Sequence, residues 1–192
     1  TMDFAGKTLT GNGTGCGVNI SNKDGVKIIN ANIQNFTTAI CVDPAININI
    51  SDNNLTQNNN GITFVQINNS YISNNKIFNN TVYGIQLNDS HNNNIFTNNI
   101  TLNGYGLSAT SSNNNTIYDN YFNNTIDASD SGSNQYNTTY AINTSIISGT
   151  NTSIIGGTGF GGNFWSTYLG KDSGGGSYPY NVSDNGIGDT NI

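Results

Sequence analysis

Apolar residues in this chain come in short Ile-centred runs bounded by Asn or Gly, and the runs recur. Gly17-Val18-Asn19-Ile20, Ala39-Ile40-Cys41-Val42, Gly61-Ile62-Thr63-Phe64, Gly84-Ile85-Gln86-Leu87 and Gly106-Leu107-Ser108-Ala109 start 22, 22, 23 and 22 residues apart. A second register shares those spacings: Ile28 to Ile33, Ile50 to Leu55, Ile72 to Ile77, Ile95 to Ile100 and Ile117 to Phe122, each an apolar pair five residues apart. Alternation such as Ile46, Ile48, Ile50 is the period of a strand with one buried face. Two registers with one shared insertion predict a repeat architecture.

An interval of five is odd, so an unbroken strand would turn the two apolar residues to opposite faces. A corner must intervene. The fourth position of each block is Ala31, Asn53, Asn75, Asn98 and Asn120, and Asn is the non-Gly residue that best tolerates the left-handed conformation expected of such a corner. A second column follows at Asn58, Asn80, Asn103 and Asn124. Stacked one per coil, these amides are expected to hydrogen-bond along the column as ladders.

A coil of 22 residues is too short for helix-containing repeats. The fold expected is all-β: a right-handed parallel β-helix of about 22 residues per coil, with a Gly- and aromatic-rich C-terminal cap and tail. Residues 1–169 form the β-helix and its cap, with Phe4 and Leu9 inward in the first coil, and residues 170–192 a Gly/Asp-rich tail. Phe160, Phe164, Trp165 and Tyr168 are expected to cover the end of the apolar column.

Composition sharpens this picture. Asn (40) and Gly (23) make up about a third of the 192 residues, all 11 acidic residues are Asp and all five basic residues are Lys. Without Arg there is no bidentate phosphate clamp, and a net charge of −6 leaves no footprint for nucleic acid. No apolar run is long enough for a spanning segment. Thr1 begins abruptly, as in a processed or truncated product.

The chain resembles a known family. Gly161-Gly162-Asn163-Phe164-Trp165-Ser166-Thr167-Tyr168, followed by Asn185-Gly186-Ile187-Gly188-Asp189-Thr190, is similar to the terminal signature of the NosD-like periplasmic copper-binding proteins and CASH (carbohydrate-binding and sugar-hydrolase) β-helix domains, abundant in methanogen surface proteins. It departs from that signature at Thr167, Asn185, Asn191 and Ile192. The resemblance implies a right-handed β-helix over nearly the whole chain and raises copper as a ligand. Copper sites want Cys, His and Met, and one His, one Met and two Cys are a thin supply. His91 occupies the corner slot filled by Asn68 and Asn113 in neighbouring coils.

Catalytic groups are equally sparse. Asp52, Asn74, Thr97 and Asp119 share the third block position, which sets the two acids three coils and roughly 14 Å apart, beyond glycosidase geometry. Asp127 and Asp130 are expected in a solvated Ser/Gly-rich loop. The reading is non-enzymatic and requires no cofactor. Oxygen donors Asp184, Asn185 and Asp189, with Asp172 as an extra ligand, suit calcium; the same loop also reads as an unliganded Asx turn. Asn12, Asn88, Asn137, Asn143, Asn151 and Asn181 head Asn-x-Ser/Thr triplets open to glycosylation. Cys41 lies three residues along from the slot of Cys16, which on straight strands separates their Cα atoms by roughly 11 Å, too far for a disulfide; free or intermolecular thiols are expected.

These observations lead to a non-catalytic extracellular structural or adhesive module of an archaeal-type surface layer, sheath or adhesin, partnered by copies of itself through residues 1–16 and by glycans, with neither nucleic acid nor membrane insertion. The alternative is a carbohydrate-binding or carbohydrate-active, lyase- or hydrolase-like, β-helix domain.

Overall fold

A computed structural model describes residues 1–136 and 163–166, and within them the chain winds into a parallel β-solenoid of about six turns with no helix. One sheet stacks Met2–Asp3, Lys27–Ile29, Asn49–Ser51, Tyr71–Ser73, Asn94–Phe96 and Thr116–Tyr118. A second stacks Thr8–Thr10, Asn32–Gln34, Asn54–Thr56, Lys76–Phe78, Asn99–Thr101, Tyr121–Asn123 and Phe164–Trp165. The third holds the longer strands Cys16–Ile20, Thr38–Val42, Asn60–Val65, Tyr83–Asn88, Tyr105–Thr110 and Ile126–Asp130. A two-stranded strip, Ala45–Ile46 with Ile67–Asn68, lies beyond it along the coil. Register is kept by identical neighbours: Ile28, Ile50, Ile72, Ile95 and Ile117 pair in one line, fully buried.

The left-handed corner residue lies one place earlier than the sequence reading put it. Asn30, Asp52, Asn74, Thr97 and Asp119, the third block positions, have φ between 54° and 60°. A residue in this conformation interrupts the in–out alternation, so the following fourth-position residue turns inward and is buried. Each regular coil turns at further left-handed residues, as at Gln66, Asn69, Asn74 and Asn79. Every such turn feeds an inward residue: Ile67, Ser70, Asn75 and Asn80.

The long strands bend inward at their second residue. In Asn60–Val65, Tyr83–Asn88 and Tyr105–Thr110 the second and third residues are both buried, and the paired positions skip the glycine. A Cβ on Gly61 would lie 2.6 Å from Ile77 Cγ2 and one on Gly84 2.8 Å from Ile100 Cγ2, so at these positions the backbone approaches the opposite sheet. The exterior is therefore creased along this line, and outward side chains on either side of it converge.

That crease overturns the expectation of unpaired cysteines. Cys16 and Cys41 form a disulfide with Cα atoms 6.0 Å apart. The expected register is present, with Cys16 opposite Thr38 and Cys41 opposite Asn19. What fails is the assumption of straight strands, because the bend at Gly17 and Ala39 folds the two outward positions toward each other.

Candidate functional site

The inward corner residues bond along the axis. Asn53 Nδ2 donates to Asn75 Oδ1, Asn75 Nδ2 to Asn98 Oδ1 and Asn98 Nδ2 to Asn120 Oδ1, each at 3.0 Å. The backbone N–H groups of Asn53, Asn75 and Asn98 donate to the same oxygens, and Ala31 N–H donates to Asn53 Oδ1. The Oδ1 atoms of Asn75, Asn98 and Asn120 thus each accept twice, while Nδ2 also donates to a carbonyl of the preceding coil, as Asn98 Nδ2 does to Ile72 O at 2.9 Å. The second column runs alike through Asn58, Asn80, Asn103 and Asn124. Satisfying buried amides in this way avoids the desolvation cost of leaving them unmet.

A third ladder was missed in the sequence. Ser70 N–H donates to Asn93 Oδ1, and Asn93 and Asn115 pass their side-chain amides on to Asn115 and Asn134. A fourth, built on hydroxyls, links Ile67 N–H to Ser90 Oγ and Ser90 N–H to Ser112 Oγ. The 23- and 22-residue steps Ser70, Asn93, Asn115 repeat the period of the other registers, so the signal was present but hidden by mixed residue types.

The ladders end on dedicated groups. Asn163, from the Gly-Gly-Asn-Phe-Trp segment, accepts from Asn120 Nδ2 at 3.0 Å and donates to Ile117 O and Tyr136 O. Beside it Phe164 stacks on Tyr121 and Trp165 on Phe122, ring centroids 4.5 and 4.6 Å apart, which extends the aromatic column past the regular coils. Phe160 and Tyr168 lie outside the described residues.

Asp127 closes the second ladder: its Oδ1 accepts from Asn124 N–H at 2.8 Å and from Asn124 Nδ2 at 3.3 Å. A carboxylate suits this terminal place, since it accepts without carrying an amide that would need a further acceptor. Asp130 accepts from Asn134 Nδ2, Gly132 N–H and Tyr136 Oη. The expected solvated loop is thus corrected for Asp127, which is buried and engaged, while Asp130 is only half-buried.

The other carboxylates are dispersed. Asp52 is exposed and Asp119 buried, at the same register three coils apart. Beside Asp119, burial first, then the charges of Asp119 and Tyr71, push the Tyr118 phenol above its ordinary pKa. At the other end Asp3 is held below the usual carboxylate range by the Ala5 N–H and the Asn30 side-chain amide. His91 stands in the corner slot beside Asn68, takes the Asn113 N–H on Nδ1 and meets Asp89 through Nε2 at 3.1 Å.

Asn12 is exposed, whereas the triplet headed by Asn88 ends on the buried Ser90. Asn137, Asn143, Asn151 and Asn181 lie outside the described residues, as do Asp172, Asp184, Asn185 and Asp189 of the candidate calcium loop. Among the described residues no three His, Cys, Asp or Glu side chains gather as a metal group, and no helix is long and apolar enough to cross a membrane.

A family model described as periplasmic copper-binding protein (NosD) matches residues 2–170. Comparison with curated proteins and with solved structures gave no match. The donors of this chain do not fit a copper site: both cysteines are consumed in the disulfide, Met2 lies in the first coil, and His91 is tied into a corner three coils further on. With the family model spanning most of the sequence and a parallel β-solenoid beneath it, the chain belongs to the NosD family.

Proposed function

We propose that this chain is a non-catalytic structural or adhesive module of the cell surface, of the kind found in surface layers, sheaths and adhesins. The observation that carries the reading is where the inward polar groups go. Asn amides and Ser hydroxyls of the corners are spent on axial hydrogen bonds, and Asp127 terminates one such ladder. Such bonding favours a stiff rod whose inward polar residues brace it from coil to coil. A family of periplasmic proteins belongs to the cell envelope, and the Cys16–Cys41 disulfide accords with an oxidising compartment.

Self-association follows from the outer surface. Charged residues are 8% of the chain, so little repulsion opposes lateral contact. The outward columns offer amides and hydroxyls for hydrogen bonding between rods, for example Thr56, Thr101 and Asn123 on the second sheet. Sedimentation of the purified protein over a wide concentration range tests this: growth into large species supports it, and a strictly monomeric profile overturns it.

Glycan contact is the second reading, favoured by the outward aromatic pairs Tyr83–Tyr105 and Phe96–Tyr118, ring centroids 5.4 and 5.2 Å apart. Protein–glycan titration with neutral polysaccharides separates it from pure self-assembly.

A further inference from the structure

Asn-x-Ser/Thr triplets are frequent along the coils, and the fold disqualifies nearly all of those described. In most, the middle residue is an inward one: Ile20 after Asn19, Ile50 after Asn49, Leu55 after Asn54, Asn80 after Asn79, Ile100 after Asn99, Asn115 after Asn114 and Asn124 after Asn123 are all buried. In those headed by Asn68 and Asn88 the final serine is buried and its hydroxyl bonded, Ser70 to Asn68 O and Ser90 to Asn88 O. At Asn35 the middle residue Phe36 packs against the core, its N–H held by Asn58 Oδ1. An acceptor asparagine must reach a transferase as an accessible loop, and a triplet locked into a coil cannot.

One triplet differs. Asn12, Gly13 and Thr14 are all exposed, in the loop between Thr8–Thr10 and Cys16–Ile20. Thr14 Oγ1 donates to Asn12 Oδ1 at 2.8 Å and the Thr14 N–H to the same oxygen at 3.3 Å. Two donors on Oδ1 polarise the carboxamide of this exposed asparagine. Gly13 and Gly15 have positive φ, and a Cβ on either would meet nothing within 4 Å, so space for a bulky substituent surrounds the loop. Its base is fixed by Gly11 N–H on Gln34 O, Gly13 N–H on Asn35 O and the Cys16 disulfide.

We propose that Asn12 is an N-glycosylation site and that, among the described triplets, it alone is modified in the folded protein. The reaction is a group transfer: Asn12 Nδ2 bonds to the anomeric carbon of a lipid-linked oligosaccharide pyrophosphate, the anomeric carbon–oxygen bond to the pyrophosphate breaks, and one amide proton leaves to the transferase's base. The lipid pyrophosphate departs with the electron pair. The inference rests on an extracytoplasmic location, which the disulfide also requires, and not on any self-assembly.

Trypsin cuts after Lys7 and Lys23, so one peptide, residues 8–23, carries both Asn12 and the locked Asn19 and gives an internal control. Protein from the cells that make it, reduced and alkylated, is expected to yield that peptide with a glycan placed on Asn12 by fragmentation mass spectrometry and Asn19 bare. An unmodified peptide, or a glycan on Asn19, overturns the proposal. In parallel, the folded, oxidised chain treated with an oligosaccharyltransferase and its lipid-linked donor is expected to gain a glycan within residues 1–136 that is lost in N12Q and T14A and kept in T14S. Retention of that increment in folded N12Q contradicts it.

Discussion

Asn75 donates both its backbone N–H, at 2.9 Å, and its side-chain Nδ2, at 3.0 Å, to the single oxygen Oδ1 of Asn98. Replacing Asn75 by Leu removes the acceptor that Asn53 uses through both its own donors, which strands the buried Asn53 N–H and leaves its Nδ2 only Ile28 O. We expect Asn75→Leu to lower stability by about 1–3 kcal/mol, read from urea midpoints. Unchanged unfolding would mean that the buried ladder contributes nothing net.

The disulfide closes a loop with a sequence separation of 25 and ties the first coil to the second. Chain-entropy reasoning assigns such a link about 3–4 kcal/mol. Replacing both cysteines by Ala is expected to lower the unfolding free energy by that order and to expose residues 1–20 to proteolysis, while leaving the coils from Asn49 onward protected. Protease fragment patterns with and without the cysteines check this.

Leu102 sits at a corner with φ 58° and is 69% exposed, in a column where Asn35, Gln57 and Asn79 hold the same conformation. A leucine gains little there by burial and bears the left-handed cost that Asn tolerates. Leu102→Asn is expected to raise stability by about 1 kcal/mol, visible as a higher melting temperature.

Tyr118 stacks on Phe96 with ring planes 5° apart, and its phenol titrates above the ordinary value near 10. An acid whose folded pKa is raised contributes stability that is present below its unfolded pKa and lost as pH climbs from there toward the folded pKa. Stability should therefore fall as pH rises past about 10, and Tyr118→Phe should flatten part of that fall. Urea midpoints between pH 8 and 11.5 measure it.

How much of this was legible in the sequence depended on whether a feature needed only the period or also the local bend. The Ile28-to-Ile117 line needs nothing but the repeat, and it is where the pattern put it. The left-handed residue was misplaced by one because Asn fills the fourth position in four of the five blocks while the third mixes Asn, Asp and Thr, so the residue type that favours the turn marks the side chain that points inward. Cys16 and Cys41 were judged on straight strands, and only the inward bend at Gly17 and Ala39 brings them together. Asp127 looked like loop material because its ladder role depends on the chain returning past Asn124 within three residues, an irregular step that no period announces.

Imaging the native particle tests the structural reading most directly. Ordered filaments or sheets built from copies of this rod are expected, with no small-molecule turnover required to maintain them. Isolated monomers on the native surface, or a particle that assembles only on a loaded metal ion, would contradict it.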